Sequence, residues 1–132
     1  QDYEIELIAL KEELEFIERY FELQKVRCEE KIQLNINVSN LYVRVLPVTI
    51  QSLVENAIKH NSFSLQNPLI IEIKQEDDCL IVKNNIQKKN VLKETTKTGL
   101  QNLKEMVKLK LNKELIVSET DNEFIVKIPF VY

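Results

Sequence analysis

The sequence predicts an α+β fold: a two-layer α/β sandwich in which three helices, the first of them long and N-terminal, cover one face of a mixed sheet of about five strands. Three observations predict it. Apolar residues recur at steps of three and four over residues 4–27, 47–60 and 99–111, the spacing of helices with one buried face. Elsewhere apolar and polar residues alternate, the spacing of strands with one buried face. The two patterns do not take turns along the chain, so few parallel crossover units are available and the helices are expected on one side of the sheet. With 132 residues, 44% of them hydrophobic, the chain can build one real core but not two comfortable ones.

In chain order, Glu4 to about Arg27 lacks Pro and Gly and carries Leu7, Leu10, Leu14, Ile17 and Phe21 on one helical stripe. Phe16, Tyr20 and Leu23 form a second stripe, so this helix is expected to pack on two sides. Ile32, Leu34, Ile36 and Val38 mark a strand that Ser39-Asn40 ends, and Leu41 to Leu46 is a short β-prone run. Pro47 suits a first helical turn, where its missing N–H is no loss, and the helix is expected to run from there to His60. Leu69–Lys74 and Cys79 to about Lys83, joined at Asp77-Asp78, read as a hairpin. Asn84 to Lys97 is polar and aperiodic and is expected to form a loop. Helical spacing returns from Gly99 to about Leu111, and the strands Glu114–Ser118 and Glu123–Val131 close the sheet.

Composition excludes several classes. Eighteen basic and 21 acidic residues give a net charge of -3 with no long block of either sign, so no nucleic-acid partner is expected. Cys28 and Cys79 have neither zinc-site nor redox-motif spacing and suggest a reducing compartment. No apolar run reaches the roughly 20 residues that span a bilayer, and no signal-peptide order is present. The single glycine, Gly99, stands out, because average usage would supply about nine.

The stretch Gln51 to Asn61 organises the rest. It puts Ile50, Leu53, Val54, Ala57 and Ile58 on one helical face and Ser52, Glu55, Asn56 and Lys59 on the other. Asn is a mediocre helix former, so Asn56 in mid-helix calls for a reason beyond solvation. Glu55-Asn56-Ala57-x-Lys59-His60 resembles the N box of the histidine kinase and gyrase-type ATPase superfamily, and Thr98-Gly99-Leu100-Gln101-Asn102-Leu103 resembles its second glycine box. The upstream Lys11 to Tyr20 with Gln24-Lys25-Val26-Arg27 is similar to the LytS-type bacterial sensor histidine kinases. This resemblance implies the Bergerat ATP-binding fold, with ATP and Mg²⁺ as cofactors and Asn56, Lys59, His60, Asn84, Lys97, Gly99 and Leu100 at the ATP. Asn56 would supply the metal's protein oxygen, since Mg²⁺ keeps several waters and bridges phosphates. Lys59 would offer a point charge to a phosphate, and Gly99, expected just before a helix, would let backbone N–H groups approach one. Taken singly, a plain amphipathic helix, a surface lysine and a loop-to-helix turn account for the same residues.

The sequence also departs from the family pattern. The first glycine box, normally Asp followed by Asn-Gly, reads Asn84-Asn85-Ile86, so the carboxylate that takes the adenine amino group is replaced by an amide. Lys97 stands where a further Gly is usual. Ser52 replaces the water-activating Glu of the superfamily's hydrolases, which argues against efficient ATP hydrolysis, and no catalytic residue can be assigned. His60 belongs to the N box and is expected to line the pocket or favour the helix C-terminus, not to accept phosphate.

By resemblance, residues 1–28 are a linker helix from a dimerisation segment and 29–132 the ATP-binding catalytic domain of a two-component sensor histidine kinase. The enzyme would transfer the γ-phosphoryl of Mg-ATP to a histidine outside this stretch. Its partners would be its own dimerisation and phosphoacceptor segment, a cognate response regulator, and a second copy in a full-length homodimer. The domain would lie on the cytoplasmic side of a bacterial inner-membrane sensor. Two rival readings remain: a pseudokinase that serves as a protein-binding module, and an unrelated α+β interaction domain.

Overall fold

Strict alternation and uninterrupted helical stripes fix most of the architecture. The structure, a computed structural model, describes the backbone of residues 6–87 and 93–132 and, in the helix that starts at residue 93, the side chains from Gly99 on. The elements run β1 (Ile8–Ala9), α1 (Leu10–Arg27), β2 (Ile32–Asn37), β3 (Arg44–Val45), α2 (Thr49–His60), β4 (Leu69–Gln75), β5 (Cys79–Asn85), α3 (Lys93–Leu111), β6 (Ile116–Glu119) and β7 (Glu123–Pro129). The main sheet has the order β2-β4-β5-β7-β6. β2 and β4 are parallel and the other neighbours antiparallel, so the sheet is mixed, as expected.

One face of this sheet is core. Ile32, Leu69, Ile71, Ile73, Leu80, Val82, Val126 and Ile128 are buried, together with Leu10, Leu14, Ile17 and Phe21 of α1 and Ile50, Leu53, Val54, Ala57 and Ile58 of α2. The α3 helix is held more lightly: Val107 is buried, Leu100, Leu103 and Leu111 are half-buried, and Met106 and Leu109 are exposed. The opposite face of the sheet is charged. There Lys83 lies 3.9 Å from Glu72 and 3.5 Å from Glu123 across neighbouring strands, partly exposed pairs of the kind that add little stability.

Several boundaries differ from those the sequence suggested, α2 among them, which begins at Thr49 and leaves Pro47 outside it; two differ by more than three residues. The first helix begins at Leu10, not Glu4, and Ile8-Ala9 pair antiparallel with Arg44-Val45. The amides of Leu10 and Lys11 donate to the carbonyls of Val43 and Leu41 at 2.8 and 2.9 Å, so β1 enters along β3 before the helix can start; residues 1–5 lie outside the described residues. The expected loop from Asn84 to Lys97 is shortened at both ends. Asn84 continues β5, pairing with Ile71 and Phe124, and α3 begins at Lys93, six residues before Gly99. Residues 93–98 contain no helix breaker, and one glycine inside a helix costs only about 1 kcal/mol, so aperiodic polarity hid two turns of helix. Val91-Leu92 lie outside the described residues.

Candidate functional site

The amphipathic α2 buries its apolar face in the core and turns Ser52, Glu55 and Asn56, all half-buried, toward α3. Between the two helices lies a cleft of about 320 Å³, lined by these three residues and by Gly99, Asn102, Leu103 and Met106. The two sequence motifs, some 40 residues apart, thus face each other. Gln51 Nε2 donates to Glu55 Oε2 at 3.1 Å, one turn along α2, and fixes that carboxylate on the wall.

Both ends of α2 are tied down by residues distant in sequence. At its N-terminus Val48 occupies the capping position with φ 72°, a left-handed conformation that is strained for a β-branched residue, and its side chain cannot cap. The cap comes from α1. The Glu13 carboxylate, 4% exposed, accepts from the backbone N–H groups of Val48 at 2.9 Å, Ile50 at 3.0 Å and Gln51 at 3.4 Å. Burial pushes the Glu13 pKa above the usual glutamate range, against the pull of those backbone bonds. At the C-terminus the buried Asn61 donates through Nδ2 to the Ala57 carbonyl at 2.9 Å and accepts from the Gln87 N–H at 2.8 Å. Ser62 adds N–H and Oγ donors to the Gln87 carbonyl at 2.6 and 3.0 Å. The segment after β5 is thereby stitched to the end of α2.

The expected site residues fall into four groups. Asn56 and Gly99 meet in the cleft. Lys59 is exposed one turn further along α2, His60 is the helix's last residue, and Leu100 packs half-buried against the core; none of the three lines the cleft. Asn84 is 8% exposed on the core-facing side of β5, where its Nδ2 donates to the Asn85 carbonyl at 2.8 Å. The Lys97 side chain lies outside the described residues. The expectation that Gly99 opens a helix is corrected. It sits in the second turn of α3, so the N–H groups of that helix's first turn are not at Gly99.

Gly99 also has no conformational reason to be glycine. Its φ is not positive, and a Cβ added there would meet nothing within 4 Å. Sequence reasoning missed Glu13, Asn61 and Gln87. Asn61 carried a signal as a polar residue at a helix end, whereas Glu13 looked like any other glutamate of an acidic helix. Asn85, read as half of a degenerate motif, accepts from the Ile70 N–H at 2.8 Å and donates to the Pro68 carbonyl at 3.0 Å, tying the end of β5 to the start of β4.

Comparison with known proteins adds the family context. The sensor histidine kinase BtsS of Escherichia coli (strain K12) is 37% identical over 62 residues, 46% of this chain and 11% of BtsS. The sensor histidine kinase/phosphatase LytS of Staphylococcus aureus (strain MRSA252) is 46% identical over 55 residues, 40% of this chain and 9% of LytS. No family model matches the chain. Among solved structures, the catalytic domain of histidine kinase ThkA superposes with a TM-score of 0.62 at 18% identity, covering 98% of this chain and 99% of that one. The cytoplasmic segment of histidine kinase QseC gives 0.65 at 14% identity over 97% of this chain and 78% of its own. The chain has the fold of a histidine kinase catalytic domain, and its sequence likeness is to the LytS type.

In this histidine kinase fold, the helix bearing Glu55-Asn56-Ala57 forms one wall of the cleft and the helix bearing Gly99 the other. Among the described residues no group of three His, Cys, Asp or Glu side chains is placed to hold a metal. A divalent cation held at Asn56 would therefore take most of its ligands from phosphate and water, a donor set that suits Mg²⁺ and the oxygen-bearing wall of Ser52, Glu55 and Asn56. No helix among the described residues is long and apolar enough to cross a membrane, and the chain spans about a tenth of the length of the curated relatives it matches.

Proposed function

We propose that the chain is the ATP-binding catalytic domain of a two-component sensor histidine kinase, and that the α2–α3 cleft is its nucleotide site. The observation that carries this reading is the meeting of Asn56 and Gly99 across that cleft, at a glycine that neither backbone nor packing requires. Glycine inside a helix is destabilising relative to Ala, so its presence fits a place where a ligand approaches the backbone closely. Asn56 Oδ1 would hold the Mg²⁺, which when bound neutralises phosphate charge. Lys59, exposed one turn on, would offer its charge to a phosphate from outside the cleft lining. Ser52 offers no carboxylate to activate water, which favours transfer over hydrolysis.

Within this reading the phosphoryl group goes to a histidine on a dimerisation segment that α1 connects to residues 29–132, and from there to a response regulator. The full-length protein would be a homodimeric bacterial membrane sensor with this domain in the cytoplasm. His60 ends the N-box helix, and in this reading it is not the acceptor. One observation favours a second reading, a pseudokinase: Asn84, at the position of the adenine-reading Asp, is buried, bonded to a neighbouring carbonyl and absent from the cleft lining. Thermal unfolding with and without Mg-ATP separates the two, since a ligand at 100 times its Kd adds about 2.7 kcal/mol. Calorimetric titration of Asn56→Ala then tests the metal role. Parent-like Mg-ATP binding by that variant would remove Asn56 from the site, and no binding by the parent would leave the pseudokinase.

A further inference from the structure

We infer that Glu13 is a positioning residue for the α2–α3 cleft: its carboxylate, carried on α1, fixes the first turn of α2 and with it the wall of Ser52, Glu55 and Asn56. Three observations converge on this. The α2 helix has no side-chain cap of its own, and the residue at its capping position, Val48, is held left-handed. The orphan amides there have a single carboxylate in common, with Glu13 bonded to Val48, Ile50 and Gln51. The cleft wall begins immediately afterwards, because Ser52 N–H donates to the Val48 carbonyl at 2.9 Å, so the first intrahelical bond of α2 already carries a lining residue.

A second point of approach lies two turns further along α1. Burial first, and the Glu55 charge second, push the Tyr20 phenol pKa up, so Tyr20 lies within electrostatic reach of the same wall. Residues 13 and 20 are seven apart and share one face of α1. That face is bonded to α2 at its cap, while Leu14, Ile17 and Phe21 anchor α1 in the core. The helix α1 therefore carries the group that fixes the start of the cleft wall. A carboxylate suits this role better than an apolar contact, since directional bonds to three amides fix the rotation of α2 as well as its distance.

The test compares amide hydrogen exchange of the whole chain, without nucleotide, in Glu13→Gln, Glu13→Ala and Ile17→Val. Ile17 is fully buried one turn along α1 and makes none of the bonds to the α2 N-terminus, so its variant controls for weakened packing. In Glu13→Ala the amides from Ile50 to Asn56 should exchange at least about tenfold faster relative to those of β4 and β5, with Glu13→Gln intermediate and Ile17→Val unchanged on that relative scale. Equal acceleration of α2 and the sheet, or unchanged rates from Ser52 to Asn56, would overturn the assignment. If Glu13→Ala does not fold, Glu13→Gln decides by the same criterion. A second arm rests on the nucleotide reading of the cleft: Mg-ATP affinity should fall about five- to tenfold in Glu13→Gln and stay level in Ile17→Val. A parent protein that binds no Mg-ATP would sink the nucleotide reading alone, with the exchange rates still deciding the role of Glu13.

Discussion

At the scale of single residues, Glu13 is set between opposing effects: burial disfavours its charge, three backbone donors favour it, and burial wins, so its native pKa lies above the usual value. The unfolded chain therefore releases this proton at lower pH than the folded one. The stability linked to the titration is complete below the ordinary glutamate range and is lost as pH rises through the raised native value. The difference in unfolding free energy between the parent and Glu13→Gln should accordingly shrink from about pH 4 toward neutrality, a trend that urea titrations at several pH values can follow. A difference that widened instead would mean the amides outweigh burial. Asn84 makes a similar argument with the opposite chemistry. Its Nδ2 donates to a carbonyl, so Asn84→Asp sets an acceptor against an acceptor and buries a charge, which should destabilise the free protein by about 1–3 kcal/mol. If the residue faces adenine, the same variant should bind ATP more tightly by about 1 kcal/mol and leave GTP unimproved, as competition against a fluorescent nucleotide would show.

At the scale of elements, α2 was legible because its apolar and polar faces differ sharply and the residues that set them are local. The start of α3 was not, since Lys, Glu and Thr ahead of Gly99 show no periodicity and a glycine there reads as a boundary. The caps of α2 were equally hidden, for another reason: Glu13 reaches it across 35 residues and Gln87 reaches Asn61 across 26. Such partners are set by tertiary packing, whereas a sequence motif reports only local spacing. The glycine that misled the boundary gives a clean experiment. Because a Cβ at position 99 meets nothing within 4 Å and φ there is not positive, Gly99→Ala should stabilise the protein by about 0.5–1 kcal/mol. If a nucleotide must lie against this backbone, the same variant should lose ATP affinity while its melting temperature rises. Unchanged affinity would show that the ligand does not approach α3 at this point.

At the scale of the whole molecule, the mixed sheet and the buried stripe of α1 followed from alternation and helical spacing, but the order of the strands did not, because pairing partners are set by tertiary packing. The resemblance suggests a linker over residues 1–28 and a domain over 29–132, and Leu10, Leu14, Ile17 and Phe21 of that first stretch, on the stripe expected to be buried, lie in the same core as α2 and the sheet. Full burial of such a side chain stabilises by roughly 1.5–3 kcal/mol, so the four together contribute about 6–12 kcal/mol before the entropy of ordering α1 is set against them. That gross figure matches the whole net stability of a typical domain, about 5–15 kcal/mol. Removing α1 would also strip the buried amides of Val48, Ile50 and Gln51 of their acceptor, and would uncouple β1 from β3. A protein consisting of residues 29–132 should therefore lack a cooperative unfolding transition in calorimetry and bind a dye for exposed apolar surface, whereas residues 6–132 should melt like the full chain. A sharp transition in the shorter protein would show instead that α1 is dispensable, and that its apolar face only rests on a core complete without it.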